Sequence, residues 1–537
     1  MSEKKNENRP ERQTGRPAGK PGAKRSGEAV GGKAYGRPGG KPFGQSAGKP
    51  EGRTGGKPFG KPAGKSFGKP AGKPGGRPAG SMGKRAESGK KPETDGMPAR
   101  RLALRVIREV TEQGAYASLS LDRALEGCGL IHADRRLVSR LVYDTLDHLI
   151  YLDYVLSQVM AREDTDIKLR NILRLGACQI LLEDRIPESA ATNTSVQLCT
   201  ELGMEGLKGV CNGILRNLIR KKDELVFPDP ETEPDRADSI LLSVPEWLWK
   251  KLKAHYGREE AEKIVRHRIP ADSWTLRPNL TRMDDVEFEQ LLNKKIWEKE
   301  KTDIPHAWKI RGAVDIARDA DFLSGNFSIM SGGSMLACLA MEPKRGKLIL
   351  DCCAAPGGKT CYLAEMMAGT GRVQAWELHE HRTALIEAQA RRLGLENIRP
   401  MTRDALKRRE DLMGTMDGVL LDAPCTGLGM LAEKPDIKLR VTEESLRELT
   451  GIQRRMLDTV CEYVKPGGTL VYSTCSVLPE ENEEQAEAFL ARHPEFEATD
   501  LPDSIPERLR KYRKTGLQLL EHRDGVEGFY LCRMRRK

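Results

Sequence analysis

The chain has 537 residues, of which 38% are hydrophobic and 31% are charged, and its formal net charge is +11 at pH 7. This length predicts about three domains, at roughly 100–200 residues per domain, which argues against a single-domain protein. The sequence contains no apolar run of about 18 residues and begins without the apolar segment of a secretory signal, so we expect a cytoplasmic protein that does not bind a membrane.

Residues 1–97 carry most of the positive charge. They contain 23 Lys and Arg against 8 Asp and Glu, whereas residues 98–537 contain 66 against 70. They also hold 24 of the 53 glycines and contain no Leu, Ile, Trp or Cys. Because such a segment buries too little apolar surface to offset its chain entropy, we predict a disordered basic tail. It either binds RNA phosphates or acts as a solubilising spacer.

Residues 98–225 show apolar positions at helical spacing and predict an all-α bundle of about six helices with short connections. One of these predicted helices spans residues 137–160. The segments LVYDTL, LRLGACQILL, IPESAATNTSV and VCNGILR resemble the NusB-like RNA-binding domain. The resemblance implies contact with ribosomal RNA or proteins, while composition alone allows a purely architectural bundle.

A proline-rich acidic linker, residues 226–239, precedes residues 240–325. We interpret 240–325 as a small α+β RNA-binding module with helices in VPEWLWKKLKAHYG and EEAEKIVRHR and strands in WTLRPNL and HAWKIRG. Arg277 and Asn279 flank a proline at a strand end, where they either contact an RNA backbone or serve as ordinary turn residues.

Residues 326–537 predict an α/β domain that binds a nucleoside-like ligand. The strand KLILDCC leads into the glycine-rich turn AAPGGKT and a helix, and the following strand ends at Glu377, 19 residues after Gly358. An acid at that position can accept hydrogen bonds from ribose hydroxyls. The turn matches neither the dinucleotide-binding nor the ATP-binding glycine pattern, which disfavours a phosphate site.

Three more strands end in polar or thiol residues. Asp404 follows the third strand, Asp422 and Cys425 end the fourth, and Cys475 ends the fifth. The carboxyl ends of parallel strands are where open α/β sheets bind ligands, so these groups are expected to meet. Two cysteines beside a nucleoside site suggest thiolate addition to carbon 6 of a cytosine, which makes carbon 5 nucleophilic toward a methyl group. Sequence chemistry alone does not rank the two thiols.

The motifs DCCAAPGGKT, LLDAPCTGLG, KPDIK and VYSTCSVLPEEN resemble those of the RNA cytosine-5 methyltransferases of the Sun/Fmu family. With the NusB-like segment, the resemblance points to the bacterial small-subunit ribosomal RNA subgroup. It implies a Rossmann-like class I methyltransferase domain that uses S-adenosylmethionine. It also implies Cys475 as the nucleophile, Cys425 as the group that assists release of the adduct, and Asp422 near the reacting methyl group. By the same resemblance, the cofactor is held by Cys353, Ala354, Ala355, Pro356, Gly357, Gly358, Lys359, Glu377, Asp404 and Asp422. Lys434 is expected to contact RNA or, together with Asp436, to position the active-site loop.

These observations predict a monomeric S-adenosylmethionine-dependent enzyme that methylates carbon 5 of a cytosine in 16S ribosomal RNA. Its twelve cysteines include no C-x-x-C pair and no Cys/His cluster with zinc spacing, so we expect reduced thiols and no metal. Two alternatives stay open: a cytosine-5 methyltransferase acting on another RNA such as tRNA, and a non-catalytic RNA-binding factor in ribosome assembly.

Overall fold

The computed structural model describes residues 96–537, except Glu163, Ala271, Ala313 and residues 511–513. The predicted disordered tail lies outside the described residues, apart from its last two positions. In the described part of the chain, no helix is long and apolar enough to cross a membrane. The same part contains no group of three or more His, Cys, Asp or Glu side chains arranged to hold a metal ion.

The N-terminal third of the described chain is all helical, with seven α-helices where the sequence predicts about six. Their apolar faces form one buried core that includes Val106, Leu141, Leu173 and Leu215. The helices are α1 (Met97–Gln113), α2 (Ala117–Leu125), α3 (His132–Asp147), α4 (Leu149–Ser157), α5 (Ile167–Leu181), α6 (Glu188–Glu201) and α7 (Lys208–Lys221).

The additional helix arises from a break at His148, inside the single helix predicted for residues 137–160. His148 leaves the helical conformation, with φ −100° and ψ 21°. The hydroxyl of Ser243 accepts hydrogen bonds from the first amides of α4, Ile150 N (3.0 Å) and Tyr151 N (3.4 Å). The Ser243 hydroxyl, 93 residues beyond Ile150, thus takes the place of the carbonyl acceptors that a continuous helix would offer to these amides.

Residues 234–329 contribute to two hydrophobic cores, which differs from the single module predicted for 240–325. The first three helices pack with the loops around Leu428, Leu431, Val477 and Leu478, whereas the strands and the next helix form a separate core around Phe288. The elements are α8 (Pro234–Leu241), α9 (Glu246–Tyr256), α10 (Arg258–Arg266), β1 (Ser273–Pro278), α11 (Asp285–Asn293), β2 (Glu298–Lys301), β3 (Trp308–Arg311), α12 (Ala320–Leu323) and β4 (Phe327–Ile329). The strands form an antiparallel sheet in the order β2-β3-β1-β4.

The C-terminal part is an α/β/α sandwich around an eight-stranded sheet. Its first elements are α13 (Gly332–Met341), β5 (Leu348–Asp351), α14 (Gly358–Met366), β6 (Arg372–Glu377), α15 (Glu380–Leu393), β7 (Ile398–Thr402), β8 (Met416–Asp422), α16 (Glu443–Val460) and β9 (Val464–Thr474). The last are α17 (Glu483–Arg492), β10 (Phe496–Ala498), α18 (Glu507–Arg510), β11 (Leu517–Leu519), α19 (Glu521–Asp524) and β12 (Phe529–Arg536).

The strand order is β10-β12-β9-β8-β5-β6-β7, with β11 paired to β12. Strands β5 to β9 are parallel to their neighbours in this group, and β10, β11 and β12 pair antiparallel. Alternate side chains cover opposite faces: Ile349 packs with α13–α15, and Leu350 packs with α16 and α17. The chain order reverses between β5 and β8, which creates a crevice at their carboxyl ends. The predicted Rossmann-like fold is therefore confirmed.

Candidate active site

The glycine-rich turn after β5 forms the floor of the crevice. Ala354 N donates to Trp376 O (2.8 Å) and Gly357 N donates to Ala354 O (2.8 Å), so the turn is held against β6. Gly357 has φ 111°, and a Cβ there would lie 3.1 Å from the Cα of Ile386. A Cβ on Gly358 would meet no atom within 4 Å among the described residues, which leaves open space at the start of α14. The turn thus brings backbone close to the crevice, as the glycine pattern predicts.

Two of the predicted cofactor-binding acids end neighbouring strands. Glu377, at the end of β6, is 4% exposed and accepts from His379 N (3.1 Å). Arg403 N donates to Glu377 O, which ties the end of β6 to the chain after β7. Asp404 is half-buried and accepts from Leu406 N (2.9 Å). Both carboxylates therefore lie on the same side of the crevice, next to the turn.

A third acid, Asp351, ends β5 beneath the turn. Its Oδ2 accepts from Thr360 Oγ1 (2.6 Å), whereas no hydrogen-bond partner for Oδ1 is found in the part of the chain that the structure describes. Burial raises the pKa of Asp351 to about 6. A buried carboxylate oxygen with free acceptor capacity suits a ligand that brings a hydrogen-bond donor.

Lys359 and Asp422 join the turn to the end of β8. Lys359 Nζ lies 2.8 Å from Asp422 Oδ2, and Ser473 Oγ donates to Asp422 Oδ1 (2.8 Å). Burial by itself lowers the pKa of Lys359, but the Asp422 carboxylate raises it overall, so the ammonium stays charged. A permanent cation is thereby fixed at the edge of the sheet where the two cysteines lie.

The two candidate cysteines contact each other at the carboxyl ends of β8 and β9. Cys425, after β8, and Cys475, after β9, are half-buried, and their Sγ atoms are 3.4 Å apart. The pKa of Cys475 is lowered, first by the hydrogen bond with Cys425 and also by the charge of Lys359. The same hydrogen bond and burial raise the pKa of Cys425. Cys475 is therefore the thiol of the pair that more readily forms the thiolate, which is the nucleophilic form.

A buried carboxylate outside the predicted site connects the two cysteine loops. Glu481 is 0% exposed and accepts from Thr426 N (2.8 Å) and Gln453 Nε2 (3.0 Å), and also from the hydroxyls of Thr426 and Ser476. The sequence places Glu481 beside Glu480, which instead pairs with Lys251 (2.5 Å) and is partly exposed. Nothing in a Glu-Glu pair distinguishes the buried acid from the exposed one, so the sequence offers no signal for this role.

The structure does not bring Arg277 and Asn279 to a surface, and their predicted contact with RNA is wrong. Both are 0% exposed. Arg277 pairs with the carboxylate of Glu365 (2.6 Å) and lies over the ring of Tyr362, while Asn279 Nδ2 donates to two backbone carbonyls. Strand β1 crosses from the small sheet to α14, so its end is covered by that helix. Arg277 thus binds a buried acid in place of a phosphate.

The KPDIK motif lies between the active-site loop and the helical bundle. Lys434 is half-buried, and its predicted contact with RNA stays a prediction. Asp436 Oδ2 accepts from Ala117 N (3.3 Å), at the start of α2. Lys438, 1% exposed, pairs with Asp147 (2.6 Å) at the end of α3. The motif therefore fastens the segment that follows Cys425 to the bundle.

Comparisons with known proteins agree with this architecture. A model of the family described as 16S rRNA methyltransferase RsmB/F matches residues 338–535, and a model of the NusB family matches residues 97–220. The chain is 36% identical over 443 residues to the probable ribosomal RNA small subunit methyltransferase B of Bacillus subtilis, an alignment that covers 82% of this chain and 98% of that protein.

The ribosomal RNA small subunit methyltransferase B of Shewanella oneidensis is 30% identical over 441 residues, covering 82% of this chain and 99% of that protein. Among solved structures, that of PH0851 superposes with a TM-score of 0.71 at 24% identity, covering 82% of this chain and 99% of that one. This last similarity supports the fold.

Proposed function

The chain belongs to the RsmB/F family of 16S rRNA methyltransferases, and from this premise we propose that it methylates carbon 5 of a cytosine in 16S ribosomal RNA. The observation that carries the proposal is the pair of thiols, 3.4 Å apart, beside the charged Lys359 at the switch point of the sheet. A methyltransferase acting on oxygen or nitrogen needs no covalent nucleophile, whereas carbon 5 of cytosine requires one. The RNA substrate implies action in the cytoplasm.

The cofactor is S-adenosylmethionine, and the groups at the crevice fit it. Its ribose hydroxyls, adenine amino group and ammonium group are all donors, and the crevice offers the carboxylates of Glu377, Asp404 and Asp351 as acceptors. Glu377 would hold the ribose, Asp404 would hold the adenine, and the turn from Cys353 to Lys359 would wrap the rest. When bound, S-adenosylmethionine supplies an electrophilic methyl group.

Cys475 begins the proposed reaction as the thiolate. Its Sγ adds to carbon 6 of the cytosine, and carbon 5 of the resulting adduct becomes nucleophilic and takes the methyl group. Lys359 favours the thiolate through its charge, and Asp422 holds Lys359 in place. Cys425 assists release as a base: after its own proton has passed to solvent, it accepts the proton from carbon 5. The electrons of that C–H bond re-form the double bond between carbons 5 and 6, and the bond between carbon 6 and Cys475 breaks with its electron pair returning to the Cys475 sulfur. Reaching carbons 5 and 6 requires an accessible, extruded base.

The test combines product mapping with adduct trapping. The purified full chain, S-adenosylmethionine and 16S ribosomal RNA lacking the mark should yield 5-methylcytosine, located by bisulfite mapping. Cys475→Ala should abolish product and adduct, and Cys425→Ala should accumulate a covalent RNA–protein adduct. Cys128→Ala, which removes a half-buried thiol from the helical bundle, is the matched control. Unmodified carbon 5 would reject the proposal, and an adduct persisting in Cys475→Ala would reverse the roles of the two thiols.

A further inference from the structure

We propose that Glu481 is a positioning residue: its carboxylate ties the loop of Cys425 to the loop of Cys475 and so sets the distance between the two thiols. Each loop reaches it through the residue that directly follows the cysteine, Thr426 in one and Ser476 in the other. The inference rests on the proposed function, because the thiol separation matters only if both cysteines act on one base.

The carboxylate receives four hydrogen bonds, two on each oxygen. Oε1 accepts from Thr426 N and Gln453 Nε2, and Oε2 accepts from the hydroxyls of Thr426 and Ser476. Gln453 Nε2 also donates to Pro424 O (2.9 Å), immediately before Cys425. Three separate segments therefore converge on one buried side chain, and two of them carry the candidate cysteines.

Burying the Glu481 carboxylate in this way carries a cost in free energy. A fully buried carboxylate loses its hydration, and here all four donors are uncharged groups. Its negative charge also acts to raise the pKa of both Cys425 and Cys475, against the net lowering at Cys475, and so opposes formation of the nucleophilic thiolate. The acid thus works against the reaction electrostatically, so its contribution to the reaction is expected to be geometric.

The two effects have opposite signs in Glu481→Gln. Removing the charge lowers the pKa of Cys475, so alkylation of this thiol by iodoacetamide should extend to lower pH. The amide also replaces Oε2 with an NH₂ group, which cannot accept from the hydroxyls of Thr426 and Ser476. Both hydroxyls must reverse their direction to accept from it, and their own protons lose this acceptor. Since a displacement of about 1 Å can cost up to about 100-fold in rate, kcat should fall about 10- to 100-fold, with KM for RNA unchanged within about twofold.

A readout that does not depend on methyl transfer separates this inference from the proposed function. Phenylarsine oxide, which binds two thiols at once only when they are close, should be captured by the pair in the wild-type chain. Capture remaining in Cys425→Ala defines the background from other cysteines. In Glu481→Gln the capture at the pair should slow about tenfold, by the same displacement.

The matched control is Glu480→Gln, which makes the same charge change one residue away, on a side chain that pairs with Lys251. It should leave kcat and capture unchanged. Thr426→Val removes one hydroxyl and keeps the backbone amide donor, so it should give a smaller loss in kcat and in the rate of capture. If Glu481→Gln does not fold, Thr426→Val serves as the test of the inference. Wild-type capture in both Glu481→Gln and Thr426→Val would overturn the inference. Normal capture in the wild type without any methylation of carbon 5 would reject the proposed function alone.

Discussion

Replacing Asp147 with Asn should release the helical bundle from the KPDIK motif. Asp147 is 8% exposed and pairs with Lys438 (2.6 Å) and with Arg268. In Asp147→Asn, the buried ammonium of Lys438 loses its counter-charge and faces a second cation. Removing one partner from a buried ion pair typically costs about 3–5 kcal/mol, because the other charge is left without compensation.

The pKa values give a second measure of the same interaction. The two cations outweigh burial and lower the pKa of Asp147 from its ordinary 3.8 to about 2, which corresponds to about 2 kcal/mol of stabilisation at neutral pH. Burial nevertheless lowers the pKa of Lys438 to about 8 even beside Asp147, so the pair carries a desolvation cost. Arg268 is also partly exposed and can be rehydrated. We therefore expect a loss of about 3 kcal/mol, near the lower end of the range.

The pH dependence has a definite sign. Because the pKa of Asp147 is lower in the folded chain than in the unfolded one, its contribution is fully present above about pH 5 and is lost as the pH falls toward 2. The difference in stability between the wild type and Asp147→Asn should therefore shrink across that window. Above pH 5 the difference should persist up to the pH at which Lys438 loses its proton in the variant, and this pH is below 8 because Asp147 raises the pKa of Lys438 in the wild type.

The assay is urea unfolding of the full chain, followed in a double-mutant cycle of Asp147→Asn and Lys438→Met. The coupling free energy should be about 2 kcal/mol or more, since the double variant removes both charges. The control is Asp144→Asn, one turn earlier on α3, where the carboxylate is more exposed. If Asp147→Asn destabilises the chain no more than Asp144→Asn does, or if the coupling free energy is near zero, the Asp147–Lys438 ion pair does not stabilise the contact between the helical bundle and the KPDIK motif.

Two further predictions concern a half-buried cation, Lys359, and a fully buried one, Arg277. Lys359→Met should raise the pKa of Cys475, because it removes a positive charge that favours the thiolate, and should therefore move alkylation of Cys475 by iodoacetamide to higher pH. Lys347→Met, at the opposite end of the strands, should leave the alkylation profile unchanged. An unchanged profile in Lys359→Met would contradict the role of Lys359 in favouring the thiolate. Arg277→Met should destabilise the chain by about 3–5 kcal/mol, because it leaves the fully buried carboxylate of Glu365 without its positively charged partner. Chemical unfolding measures this second effect, and a loss below about 1 kcal/mol would contradict it.

The local pattern of the sequence predicts the catalytic sheet well. Apolar runs bounded by turns identify the strands from 347 to 476, and the glycine-rich turn after β5 requires a residue that tolerates φ 111° at Gly357. In a parallel sheet, the residues that end successive strands meet at one edge by geometry. Cys425, which follows β8, and Cys475, which follows β9, therefore meet as the sequence predicts, and Asp422 at the end of β8 pairs with Lys359 of the turn.

The helix break at His148 and the burial of Arg277 are not predictable from the local pattern. The first depends on the hydroxyl of Ser243, which is 93 residues from the Ile150 amide that it caps, and the second depends on Glu365, 88 residues from Arg277. A helical period continues through 148, and an arginine at a strand end resembles a surface residue. Only the packing of distant elements decides which amide is capped and which cation is buried.

The sequence by itself determined the α/β architecture, the positions of the candidate cysteines and the class of reaction that they suggest, because these follow from local periodicity and from which residues end which strands. Only the tertiary structure decided the 3.4 Å contact between the thiols, the charge of Lys359 that favours one of them, and the buried Glu481 that joins their loops. The reason is physical: pKa values and hydrogen-bond networks depend on distances between segments, and no local pattern in the chain encodes those distances.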